Sequence, residues 1–382
     1  MIPLAEPVMA GNEWRYIKDC LDTGWVSSAG SFVNRFEDGV ARYLGVAHAV
    51  AVVNGTAALH LALIIAGVKK DDIVLVPTLT FVAPVNVARY VGASPIFFDC
   101  DPGTLCLDVN QIAQFLNSEC EKRGSGMTYY KKTGQRVGAV IPVNALGHPT
   151  DMDALTEVCR QYKVCVIEDA TESLGSEYKG KKAGVLGDIG CLSFNGNKII
   201  TTGGGGMIVT NNEEWAKRVR HLSTQAKKDP LRYDHDEIGY NYRLTNIQAA
   251  FGVAQLEKLD EYAARKREIA NRYRELFDGF AGKLKVLQEA SWAKSNYWLS
   301  TIQVAADMKE PLLAYLIAQG IQARPIWNLI HTLPMYKESM VYGGDALCAR
   351  AAWESCLNIP CSVNITNEQL EAVSAAVKSY FT

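Results

Sequence analysis

The chain has 382 residues, 48% of them hydrophobic and 21% charged, with a formal net charge of −2. This balance suits two globular domains with a sizeable core, and it leaves no electrostatic footprint for nucleic acid or an anionic membrane surface. No apolar run approaches the roughly 20 residues of a membrane span, and the opening MIPLAEPVMAGNEW lacks a basic region followed by an apolar core, so no secretory signal is expected.

Short β-rich runs alternate with amphipathic helical stretches through most of the chain. Ala49–Val53 precedes a helical pattern at Ala57–Ala66, Ile73–Val76 one near Val82–Val91, and Ile96–Phe98 one near Val109–Leu116. Asn117–Arg136 then breaks the rhythm with mixed charges, glycines and a Tyr pair, and reads as an inserted surface hairpin or loop. Val137–Val143, Val164–Ile167 and Cys191–Phe194 are further runs of strand length, and Met207–Thr210 leads into a helix from about Asn212. Such alternation predicts an α/β domain on a mostly parallel sheet. From Thr245 to about Phe277 the pattern becomes one long helix, followed by a strand (Tyr297–Val304), a helix (Pro311–Gln319), a short strand (Ile321–Pro325) and two terminal helices. The expected division is a large α/β domain over residues 1–255 and a smaller α+β domain over 256–382.

The ten cysteines include no CxxC pair, and Cys100, Cys106, Cys159, Cys165, Cys191 and Cys356 sit singly in apolar or mixed segments. Buried reduced thiols, and with them a cytoplasmic location, are the expectation. No metal is expected.

In an open α/β sheet, ligands bind outside the carboxyl ends of the strands. Four features fall there, and each has a structural alternative when taken alone. Asn54-Gly55-Thr56 joins a strand to a helix, where free N–H groups and the positive dipole end would suit a phosphate, though such turns are common. Val164–Ile167 ends in Glu168-Asp169, which are either helix-capping or solvated acids, or a carboxylate for a protonated ring nitrogen. Ser193-Phe194-Asn195-Gly196-Asn197-Lys198 places a lysine just past a strand, ahead of a Gly203–Gly206 run that lacks nucleotide P-loop spacing. Phe81 is either core or a stacking partner for a flat ring. Their order is far more specific than any one of them: phosphate turn, aromatic, strand-end Asp, then Lys.

With these motifs the sequence resembles the fold-type I, DegT–StrS family of sugar aminotransferases over nearly its whole length. NGTAALHLAL from Asn54, PTLTFVA from Pro77, IEDATESLGSEYKGKKAG from Ile167, GDIGCLSFNGNK from Gly187, TTGGGGMIVT from Thr201 and GYNYRLTNIQAAFGVAQLEKL from Gly239 carry the resemblance. It implies pyridoxal 5'-phosphate (PLP) as cofactor, held covalently by Lys198, with Asp169 paired to the ring nitrogen and Phe81 covering the ring. The Gly55 and Thr56 backbone and the Ser193 hydroxyl would bind the phosphate, joined by Asn241 of a neighbouring subunit in a homodimer with shared sites. Glu172 stands near the cofactor's phenolic oxygen, where many relatives carry His or Gln. A carboxylate there needs a proton or a water to act as donor. Relatives that have become dehydratases carry His in place of the lysine, so Lys198 argues for transamination.

The segment 117–136, together with STQAKKD at Ser223, YDHDEIGYNYR and RPIWNLIH at Arg324, resembles the bacillosamine and legionaminic-acid branch. That resemblance implies amination at C4 of a UDP-linked 4-keto-6-deoxy-N-acetylhexosamine with glutamate as donor. Glutamate would give up its amino group and leave as 2-oxoglutarate, and the keto sugar would then take that group, with Lys198 moving the proton in both halves and ping-pong kinetics as the consequence. Trp25, Ser27, Arg243, Arg324, Trp327 and His331 are the candidate substrate contacts, each with core packing or ion pairing as its alternative. Lys179, Lys181 and Lys182 read as a solvated turn. The rival readings are a 3-keto sugar or cyclic-ketone aminotransferase, and a non-catalytic PLP-binding regulator, which usually adds a DNA-binding domain not seen here.

Overall fold

The computed structural model describes residues 1–381 other than 125, 230 and 281. Two helices, α1 (Glu13–Thr23) and α2 (Ser31–Leu44), precede the first strand. The large domain then runs β1 (His48–Val52), α3 (Gly55–Ile65), β2 (Ile73–Pro77), α4 (Ala83–Tyr90), β3 (Ser94–Phe98), α5 (Val109–Glu119), the hairpin β4 (Cys120–Arg123) and β5 (Met127–Tyr130), β6 (Val137–Val140), α6 (Met152–Tyr162) and β7 (Cys165–Asp169). The short β8 (Glu177–Tyr178) and β9 (Lys181–Lys182) are followed by β10 (Ile189–Ser193), β11 (Gly206–Thr210), α7 (Glu213–Ser223) and the hairpin β12 (Lys227–Asp229) and β13 (Asp234–His235). Seven strands form one sheet in the order β1-β11-β10-β7-β6-β2-β3. The β3-β2-β6-β7-β10 pairings are parallel, and only β11 runs against its neighbours. The expected mostly parallel sheet is therefore present, and the segment 117–136 contains the expected hairpin.

Both faces of this sheet are covered, which is why its strands read as continuous apolar runs. Successive residues point to opposite faces: Val50 and Val52 join one buried cluster with α3 and α7, while Ala49 and Ala51 join another with α2 and the helix at Asn246. Likewise Val74 and Val76 face one layer, and Ile73 and Leu75 the other, against α5 and α6.

The single long helix expected from Thr245 is two, α8 (Asn246–Leu256) and α9 (Leu259–Leu276). A Thr245–Gln248 capping box starts α8. No Gly or Pro marks the break at Glu257–Lys258, and both helices keep apolar positions at helical spacing, so periodicity ran through it. α9 then bridges two cores. Leu259 and Tyr262 pack with the large domain, while Ile269 and Tyr273 join the second core. The expected division at 255/256 cuts the last turn of α8, whereas the change of core occurs within α9.

The second core lies on an antiparallel sheet, β14 (Leu284–Val286), β16 (Ser300–Val304), β18 (Cys356–Ile359) and β17 (Arg324–Pro325), flanked by α10 (Ala306–Ala318), α11 (Leu347–Ser355) and α12 (Asn367–Tyr380). The small strand β15 (Ala293–Lys294) pairs with β8. This core recruits Ile2, Leu4 and Ala5 from the chain start. The segment after β17 returns to the large domain: the Ile330 amide donates to the Thr78 carbonyl at 2.9 Å, and the Phe97 amide to the Met340 carbonyl at 2.9 Å. All ten cysteines are unpaired. No described helix is long and apolar enough to cross a membrane.

Candidate active site

The carboxyl ends of β1, β2, β7 and β10 open onto one cleft of about 690 Å³, closed on its far side by residues of the second domain. Asn54 begins α3: its side chain accepts the Ala57 amide at 2.8 Å and its carbonyl accepts the Ala58 amide at 3.1 Å. The Gly55 and Thr56 amides precede the first intrahelical bond, so they remain for a ligand at the positive end of the helix. Ser193, at the end of β10, closes this cup. A Cβ on residue 55 would lie 3.0 Å from Ser193 Cβ and 3.2 Å from Thr171 Cγ2, so only glycine leaves the cup its present shape. The Gly203–Gly206 run lies behind the cup and does not line the cleft. Gly206 is needed because a Cβ there would meet the Asn54 carbonyl carbon at 2.3 Å.

Of the two acids at the end of β7, alternation sends one each way. Glu168 is buried under the sheet and accepts the Gly184 and Leu186 amides at 2.7 and 2.8 Å and the Asn144 amide nitrogen at 2.9 Å, a structural anchor. Asp169 lines the cleft, is 2% exposed, and accepts the Thr171 amide at 3.1 Å. Burial pushes its pKa up, against the Thr171 hydrogen bonds and the Lys198 charge, which pull it down. One turn on, Glu172 accepts the Leu146 amide at 2.9 Å and faces Lys198 Nζ at 3.5 Å. Burial raises the Glu172 pKa to about 7, with Lys198 opposing the rise and Asp169 adding to it. Lys198 itself stands in the loop after β10, where its amide donates to the Asn195 carbonyl at 3.0 Å. Phe81 is 55% exposed at the mouth of the cleft.

This set fits PLP: a helix N-terminus with a hydroxyl for a phosphate, a buried carboxylate for a cationic ring nitrogen, and a lysine able to reach both. Of the sequence-predicted residues, the cleft brings together Gly55, Thr56, Phe81, Asp169, Glu172, Ser193, Lys198, Arg324 and Trp327. The others lie outside it within one chain. Trp25 and Ser27 are exposed in the α1–α2 connection, their carbonyls held by Asn246 at 2.7 and 2.6 Å. Asn241 is exposed beside Thr224. His331 Nδ1 lies 2.5 Å from the Thr78 hydroxyl, and burial lowers its pKa. Arg243 is turned away from the cleft: it pairs at 2.5 Å with the buried Glu37, which also holds Arg220 at 2.9 Å. Sequence reasoning missed Trp298, Asn197 and Asn358, all of which line the cleft. Their only signal was an aromatic and two amides within ordinary strand or loop stretches.

A family model described as the DegT/DnrJ/EryC1/StrS aminotransferase family matches residues 7–378. The chain is 38% identical over 382 residues to the GDP-perosamine synthase of Escherichia coli O157:H7, covering 100% of this chain and 99% of that one. It is 30% identical over 351 residues to the UDP-4-amino-4,6-dideoxy-N-acetyl-beta-L-altrosamine transaminase of Campylobacter jejuni (strain 81-176), covering 90% and 87%. Among solved structures it resembles a DegT DnrJ EryC1 StrS aminotransferase from Brucella abortus with a TM-score of 0.89 and 27% identity, covering 97% of this chain and 95% of that one.

Proposed function

The chain belongs to the DegT/DnrJ/EryC1/StrS aminotransferase family and is a PLP-dependent sugar aminotransferase; on that premise we propose that it aminates C4 of a UDP-linked 4-keto-6-deoxy-N-acetylhexosamine with glutamate as donor. The observation that carries the site assignment is the convergence of Lys198, Asp169 and the start of α3 on one cleft. Gly55, Thr56 and Ser193 would hold the phosphate, Asp169 would pair with the ring nitrogen, and Phe81 would cover the ring. PLP, when bound, supplies an electron sink for the carbanion left when the amino acid loses its Cα proton. Lys198 holds the cofactor between turnovers and, once released, carries that proton from and to the substrate carbon. Glu172 keeps the freed lysine at the cleft floor. Arg324, exposed on β17 at the opposite wall, supplies a fixed cation for an anionic group of either substrate, with Trp327 beside it.

The same reading assigns Asn241, Trp25 and Ser27 to the neighbouring subunit's cleft in a homodimer. Its support is that all three are exposed on the single chain, and that Asn241 follows a stretch in which Leu231, Tyr233 and Ile238 are 85%, 74% and 84% exposed. Apolar side chains so exposed in one stretch suit a protein interface. The UDP-sugar reading is supported by the 117–136 hairpin motif and by the Campylobacter relative. The 38% identity to a GDP-perosamine synthase supports a second reading, a GDP-linked keto sugar.

The test is the near-visible absorbance of the purified protein before and after glutamate, followed by transfer to UDP- and GDP-linked 4-keto sugars with product regiochemistry read by NMR. Loss of the lysine-bound cofactor's band on adding glutamate, and its return with the UDP sugar, is the expected result. Return with the GDP sugar alone selects the second reading. Lys198→Ala should fold, bind PLP weakly and lose transfer, and normal turnover in that variant would refute the lysine's role.

A further inference from the structure

Lys198 is a flexible side chain on a lightly packed loop: a Cβ added at Gly196 would meet nothing within 4 Å. Yet its ammonium has a defined seat. The Trp298 ring centroid lies 4.0 Å from Nζ, across from the Glu172 carboxylate at 3.5 Å. Trp298 also grips the loop itself, since its indole Nε1–H donates to the Asn197 carbonyl at 2.7 Å. The tryptophan is 4% exposed and its backbone is fixed at both ends. Its amide donates to Asn296 Oδ1 at 2.8 Å, and its carbonyl accepts Lys266 Nζ at 2.8 Å.

Lys266 has no place in the transfer chemistry described above. It is 4% exposed, on α9, and its remaining hydrogen bond goes to Cys361 Sγ at 3.3 Å. A buried ammonium whose hydrogen bonds go to a carbonyl and a thiol is costly compared with an apolar side chain of the same length. What it gains is a fixed Trp298 carbonyl at the junction of the two domains. An indole face attracts a cation most strongly when the pair is shielded from water, as this one is.

We propose that Trp298 is a positioning residue for Lys198, holding the freed lysine at the cleft floor, and that Lys266 anchors Trp298 from the second domain. The proposal rests on the assignment of Lys198 as the cofactor-bearing base. It means that the reach of the lysine is set partly by the small domain.

The experiment compares wild type, Trp298→Phe, Trp298→Leu, Lys266→Met and Lys198→Ala as holoenzymes in the glutamate half-reaction. Tryptophan emission during PLP reconstitution of the apo-proteins is the second measurement. Trp298→Leu should lower the half-reaction kcat by roughly tenfold or more, the scale of one lost charge-assisted contact, with KM for glutamate unchanged. Trp298→Phe, which keeps an aromatic face, should recover part of that loss, and Lys266→Met should show a smaller fall in the same direction. Adding PLP should quench emission in wild type and visibly less in Trp298→Phe. Should Trp298→Leu fail to fold, the Trp298→Phe rate and emission decide the matter. Wild-type rates and quenching in the Trp298 variants, with Lys198→Ala inactive, would overturn the proposal and leave the lysine assignment standing. Wild-type behaviour of Lys266→Met would overturn the anchor. An active Lys198→Ala would instead overturn the assignment on which both depend.

Discussion

Replacing Glu172 with Gln should make the apo-protein more stable at neutral and alkaline pH, by an amount that depends on pH in a calculable way. The carboxyl is buried, and its pKa rises from 4.5 to about 7. A group that binds its proton more tightly folded than unfolded contributes stability that is complete below the unfolded value. That stability is lost as pH rises through the folded value. Each tenfold change in proton affinity is worth about 1.36 kcal/mol, so wild type should lose about 3 kcal/mol over that window, and the glutamine variant should not. Gln keeps an acceptor for the Leu146 amide, so the turn at Leu146, held at a φ of 57°, stays in place. Unfolding entropy of about 2.1 cal/mol/K per residue over 382 residues is about 0.8 kcal/mol/K, which converts 3 kcal/mol to about 4 °C. The assay is calorimetry of both apo-proteins at about pH 5 and about pH 8. The variant's melting temperature should gain about 4 °C on wild type between the two. A gap that stays constant across that range would show that Glu172 ionises as an ordinary exposed carboxyl does, and the burial argument would fail.

Asp169→Asn should retain PLP but lower kcat at least about 100-fold, because the charge that favours a protonated ring is gone; single-turnover absorbance with glutamate measures it. Gly55→Ala should weaken PLP binding about tenfold, since its Cβ would press on Ser193 and Thr171 at 3.0 and 3.2 Å, and equilibrium titration of the apo-protein reads the change. Glu37→Gln should cost about 3 kcal/mol of stability by leaving the part-buried Arg243 without its carboxylate, with KM for the sugar nucleotide unaltered. Denaturant titration and steady-state kinetics together check it, and a raised KM at full stability would return Arg243 to the substrate site.

The parts of the site that were legible in the sequence share one property: each is decided within a few residues of a strand end. Asn54 to Thr56, Asp169 and Ser193 to Lys198 lie where a parallel strand stops, and in such a sheet all these ends face one edge. Local order along the chain therefore carried their convergence. The helices α1 and α2 lie ahead of the strand–helix alternation, which begins at residue 49 and so says nothing of them, although both are amphipathic and well packed on α8. The break between α8 and α9 left no mark, because helical periodicity reports which face is buried and not what buries it. Arg243 shows the same limit. Its charge suggested a ligand, and only the fold supplied Glu37, from α2, to consume that charge.

Alternation, turn chemistry and strand-end position are local quantities, so the α/β architecture and the placing of Lys198 and the Glu168–Asp169 pair at one edge of the sheet were legible in the sequence, while the cofactor roles of Lys198 and Asp169 came from the family resemblance. Tertiary structure alone decided that Glu168 is an anchor while Asp169 faces the cleft. It also decided that Arg243 is bound to Glu37, and that Trp298 lies over Lys198 and grips the carbonyl of Asn197 from 101 residues away. These depend on which surfaces meet when separate elements pack, and burial, ion pairing and pKa come into being only at that contact.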